Sequence, residues 1–144
     1  MAQVQQSVLV MHRPEHMRAL VEDVPAYPSF LPWCGGAAIL EQQGAVTVAS
    51  VTINFHGVRQ SFTTRNTRTA DGHIEVSLVD GPFRRLEGHW TFHPLGEDGC
   101  KVALVLEYEF ANRLLERLIG PVFARIADSL VDAFVARADQ LART

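Results

Sequence analysis

Cysteine is scarce: the 144 residues hold only Cys34 and Cys100, far apart and without metal-ligand spacing. A reduced setting with free thiols is the simplest reading, and no disulfide framework is implied. Positive charge is not in excess. The net charge is -3, so bulk attraction to nucleic acid is not implied and no DNA partner is expected. Long apolar runs are missing too, and none approaches the ~18 residues of a membrane span. The start, "MAQVQQSVLVMHRPEH", has no basic region ahead of its short apolar stretch and does not read as a signal peptide. The end, "QLART", carries no prenylation signal. There is no glycine-rich phosphate loop, no defensible Ser-His-Asp order and no pair of carboxylates on an inward face. The expectation is one cytoplasmic domain over 1–144. A chain of this size buries roughly 68–70% of its unfolded surface and needs neither metal nor disulfide to fold.

What is present is patterned. "QVQQSVLVM" (Gln3–Met11) is valine-rich and partly alternating, which predicts a strand. Met17, Leu20, Val21 and Val24 follow Pro14 at helical spacing, and Pro25 ends that helix. A second, very short helix is expected through Ala26–Leu31, stopped by Pro32. Glycine-containing breaks then recur about every ten residues, with strand-like runs between them. These runs are Ala45–Phe55, Val58–Arg68, Ile74–Leu78, Leu86–His93 and Cys100–Phe110. In the last, Val102, Leu104, Leu106, Tyr108 and Phe110 take one face, with Lys101, Glu107 and Glu109 on the other. After Phe110 the period becomes 3.6. Asn112 is a good N-cap, and Leu115, Ile119, Val122, Ile126, Leu130 and Phe134 form the expected stripe of a long helix interrupted at Gly120-Pro121.

The fold class is therefore α+β. A curved antiparallel sheet of about six or seven strands wraps a long C-terminal helix, with two short helices after the first strand. One segment does not fit a plain reading. "VPAYPSFLPWC" (Val24–Cys34) holds three prolines, three aromatics and no charge. Tyr27, Phe30 and Trp33 are either core fillers or a stiff apolar rim whose prolines cut the cost of ordering.

Four segments carry a family resemblance: "VEDVPAYPSFLPWC" (Val21–Cys34), "FHGVRQSFTTRN" (Phe55–Asn66), "LVDGPFRRLEGHWTF" (Leu78–Phe92) and "ANRLLERLIGPVF" (Ala111–Phe123). Together they resemble the helix-grip fold of START-like domains, the polyketide cyclase and lipid-transfer superfamily. Within it the chain is similar to the coenzyme Q-binding branch, which includes the ribosome-association toxin RatA. The resemblance spans nearly the whole chain. It implies an apolar cavity between sheet and long helix, of the ~300–1,000 Å³ usual for ligand sites. Tyr27, Phe30, Trp33, Phe55, Phe62, Leu78, Phe83, Trp90, Leu104, Tyr108, Ile119 and Phe123 would line it. Tyr108 and Gln60 would orient quinone oxygens if they face inward. The resemblance carries no universal catalytic residue.

The remaining candidates are weaker. Cys34 has no basic neighbour in sequence, so inert packing is favoured over nucleophilic catalysis. His89 and His93 fall on the solvent face, and His12, His16, His56 and His73 show no ligand spacing. Arg59, Arg65, Arg84 and Arg85, with Arg68, suggest a docking surface for ribosomal RNA or acidic headgroups. Three functions follow. The leading one is non-enzymatic binding of a hydrophobic small molecule, foremost a ubiquinone-type isoprenoid quinone held as ligand rather than cofactor, with transient contact at the inner membrane surface. The second is a toxin that binds a ribosomal subunit and blocks subunit association. The third is a cyclase or dehydratase.

Overall fold

Alternating side chains between Val46 and Phe110 need a surface to bury one face of the sheet, and the C-terminal helix supplies it. A computed structural model describes residues 2–143. The elements are β1 (Ala2–Val10), α1 (Pro14–Glu22), a 3-10 turn (Val24–Ser29), β2 (Cys34–Gln43), β3 (Val46–Phe55), β4 (Val58–Arg68), β5 (Ile74–Asp80), β6 (Phe83–Leu95), β7 (Gly99–Phe110) and α2 (Arg113–Ala142). The seven strands form one antiparallel sheet in the order β1-β7-β6-β5-β4-β3-β2. This is the α+β helix-grip arrangement. The first strand closes against the last, with Val4 opposite Leu106 and Val10 opposite Cys100.

β7 realises its alternation fully: Val102, Leu104, Leu106, Tyr108 and Phe110 are all buried. α2 is a single helix of 30 residues that continues through Pro121. Asn112 caps it as expected, its side-chain oxygen accepting from the Leu115 N–H at 2.9 Å. The buried face is shifted from the expected stripe. Ile119, Phe123, Ile126, Ala127, Val131, Phe134 and Ala138 are buried, while Leu115, Val122 and Leu130 are only half-buried. A curved sheet touches a wider band of helix than one row of residues.

Two local differences stand out. The short second helix lies at Val24–Ser29 rather than at Ala26–Leu31, because Pro25 fits a first helical turn. β2 has no counterpart among the expected strands. It contains Gly35-Gly36-Ala37-Ala38 and ends in exposed Glu41-Gln42-Gln43, so neither propensity nor alternation marks it. As an edge strand it needs little of either, and irregular pairing at Cys34/Gly36 and Ile39/Glu41 breaks its regularity. The Asp80–Phe83 turn depends on Gly81, with φ at +151°, where a Cβ would stand 2.7 Å from the Phe62 Cβ.

Candidate ligand cavity

α2 lies across the sheet but does not fill it. Inward positions of β3 (Thr47, Ala49, Val51), β4 (Phe62, Thr64, Asn66, Arg68), β5 (Ile74, Val76), β6 (Leu86, Trp90) and β7 (Leu104, Leu106) face the helix. Phe123, Ile126, Ala127, Leu130 and Phe134 of α2 face them. Val21 and Glu22 of α1, with Val24, Tyr27 and Trp33, close one side. The cavity between them measures about 130 Å³. That is a correction to the ~300–1,000 Å³ expected. The side chains of the two core clusters meet around it and occupy much of the space.

Six of the twelve expected lining residues are on this wall: Tyr27, Trp33, Phe62, Trp90, Leu104 and Phe123. The other six are elsewhere. Phe83, Tyr108 and Ile119 belong to a packed aromatic cluster beside the start of α2. Phe83 stacks on Phe110 at 5.0 Å and meets Phe123 edge-on at 5.0 Å, and Tyr108 meets Phe123 at 4.7 Å. Phe30 packs outside the wall against Phe134 at 5.3 Å, with the Arg137 guanidinium 5.3 Å from its ring. Phe55 lies at the end of β3 under Arg125, 5.8 Å away. Leu78 is half-buried against the aromatic cluster. Neither polar group assigned to quinone oxygens, Gln60 or Tyr108, reaches the cavity wall.

Tyr27 ties the proline-rich segment down. Its hydroxyl donates to the Val21 carbonyl and its ring meets Phe134 edge-on at 5.5 Å. Enclosure of the hydroxyl, and then the nearby Cys34, Asp23 and Glu22, push its pKa well above the usual tyrosine value. Trp33 is 7% exposed and its carbonyl accepts from the Asn54 N–H at 2.8 Å. Cys34 is buried, and its thiol donates to the Gly36 carbonyl at 3.3 Å. Burial pushes this thiol's pKa up, which keeps it protonated and poorly nucleophilic.

The polar part of the wall lies outside the set of lining residues that the sequence suggests. Thr64, Asn66 and Arg68 are successive inward positions of β4, and Thr47 is the register partner of Asn66. Thr64 is buried and donates to Asn66 Oδ1 at 2.9 Å. Arg68 makes two hydrogen bonds to Glu22 of α1, at 2.9 and 2.5 Å. Among the lining residues Arg68 alone is largely exposed, so this ion pair marks the mouth. Parity along β4 is the signal that finds Arg68: it shares a face with Phe62, not with Arg59 and Arg65.

That parity also corrects the arginine surface. Arg59 and Arg65 stand on the outer face of β4, and Arg68 is on the other side of the sheet. Arg84 pairs with Glu109 at 3.5 Å. Arg85 sits between Glu87 at 3.1 Å and Glu107 at 3.9 Å. The five arginines therefore do not form one basic patch. His73 serves structure, its Nδ1 accepting from the Phe92 N–H at 3.0 Å. Among the described residues, no group of three or more His, Cys, Asp or Glu could hold a metal, and no helix is long and apolar enough to cross a membrane.

Residues 10–135 match the sequence model of the family described as polyketide cyclase / dehydrase and lipid transport. The chain belongs to this family. It is 46% identical over 141 residues to "Ribosome association toxin RatA" of Vibrio cholerae, covering 98% of both chains. It is 27% identical over 139 residues to "Coenzyme Q-binding protein coq10, mitochondrial" of Schizosaccharomyces pombe, covering 92% of this chain and 84% of that one. The Zhui aromatase/cyclase of Streptomyces sp. R1128 superposes with a TM-score of 0.79 at 17% identity, over 96% of this chain and 94% of that one, a likeness of fold alone.

Proposed function

We propose that this protein associates with a ribosomal subunit through its surface, as a RatA-type protein. The observation that carries the reading is the 46% identity to a RatA over 98% of both chains. The size of the cavity supports it. At about 130 Å³ the interior is too small for a ring and a prenyl tail without expansion, so cargo carriage is not its most direct use. Arg59 and Arg65, on the outer face of β4, are the arginines offered for contact with RNA phosphates. The test is co-sedimentation with isolated ribosomal subunits across a salt series. Binding should weaken steeply with salt, and Arg59→Glu with Arg65→Glu should reduce it at least tenfold. Arg85 is a poor choice for reversal because it already lies between two glutamates. No salt-sensitive binding by the unaltered protein would end this reading.

A second reading, non-enzymatic binding of a hydrophobic small molecule, rests on the apolar wall between sheet and α2. A ubiquinone-type ligand would require α1 or the proline-rich segment to move outward. Transient contact with a membrane surface belongs to this reading. Cyclase or dehydratase chemistry has the least support. Glu22 is the one carboxylate on the cavity wall, and Arg68 already holds it as an ion pair.

A further inference from the structure

The cavity wall is apolar except along one strip, where Thr64, Asn66 and Arg68 follow one another on β4 and Thr47 faces Asn66. At the end of that strip Glu22 occupies the Arg68 guanidinium with two hydrogen bonds. Behind Glu22, one turn earlier on α1, Arg18 Nε stands 3.8 Å from Glu22 Oε1 and has no hydrogen-bond partner despite being buried. A buried donor without an acceptor is costly. Glu22 thus has a second cation waiting within a small shift, and Arg68 has a fork whose geometry fits a carboxylate. We propose that the cavity binds a small amphipathic carboxylate, whose head takes the place of Glu22 on Arg68 while Glu22 moves onto Arg18. The acyl chain then lies between Phe62, Trp90 and Phe134. A neutral head has no such exchange to drive, and the size of the cavity favours a short chain over a full lipid.

This inference stands apart from ribosome association, which co-sedimentation measures separately. The probes are octanoate and octanol, titrated into the full chain and followed by calorimetry and backbone amide shifts. Octanoate should bind at least about tenfold tighter than octanol, with shifts centred on β4 and the end of α1. Arg68→Gln should remove the preference for octanoate. Glu22→Gln deletes the competitor for Arg68, so it should tighten octanoate severalfold and widen its preference over octanol. The proposal is overturned if octanol binds as well as octanoate, if Glu22→Gln weakens octanoate, or if neither probe shifts the cavity residues.

Discussion

The same helix covers two very different regions of the interior. Beside its first turns, Phe83, Tyr108, Phe110 and Phe123 interlock with ring centroids 4.7–6.2 Å apart. Further along, Ala127 and Leu130 of α2 face Ala49, Thr64 and Asn66 across empty space. The difference lies in side-chain volume. Large rings from adjacent strands fill the first region. Alanine, threonine and asparagine on β3 and β4 leave the second open. A buried aromatic ring therefore need not mark the cavity. Here one set of rings packs together and closes part of the interior, while Tyr27, Trp33, Phe62, Trp90 and Phe134 line the space that Ala49, Thr64 and Asn66 leave open.

The largest expected effect lies in the closed region. Phe83→Ala removes a ring that contacts four other rings and lies off the cavity wall. It should cost about 3–5 kcal/mol in urea unfolding, as for other buried phenylalanines. Trp33→Ala sharpens the contrast, since Trp33 is buried but lines the cavity. Space beside it is already unfilled, so fewer packing contacts are lost, and the expected cost is below about 3 kcal/mol. Equal costs for the two substitutions would mean that the cavity edge is packed as tightly as the aromatic cluster.

The fold was legible because its signals are periodic. Alternation in β7 and the 3.6-residue period after Asn112 place the sheet and helix with little ambiguity. β2 is not legible in the sequence, because an edge strand rich in glycine and alanine satisfies its constraints through pairing alone. The site was half legible. Trp33, Phe62 and Trp90 stand out as large apolar residues, but size does not say whether a ring faces a void or another ring. Phe83 and Tyr108 face rings. Arg68 and Glu22 are 46 residues apart and meet only through the packing of α1 against the sheet edge of the cavity. Parity along β4 could have placed Arg68, but no local pattern pairs it with Glu22.

The smallest effect tests how firmly the open region is held. Tyr27→Phe keeps the ring against Phe134 and removes the hydrogen bond to Val21. At neutral pH the loss should be about 1 kcal/mol. The pH dependence gives a finer test. The Tyr27 pKa is raised in the folded state, first by burial and then by Cys34, Asp23 and Glu22. Its stabilising contribution is therefore full below the unfolded value of 10.0 and is lost progressively as pH rises above it. Phenylalanine does not titrate, and Tyr108 is common to both proteins, so its own burial-raised pKa cancels in the comparison. The stability gap between the two proteins should accordingly narrow between pH 9 and 11. Urea midpoints measured across that range decide it. A gap that stays constant would show that the hydroxyl reaches water, and that the proline-rich segment is looser at the cavity edge than its hydrogen bond implies.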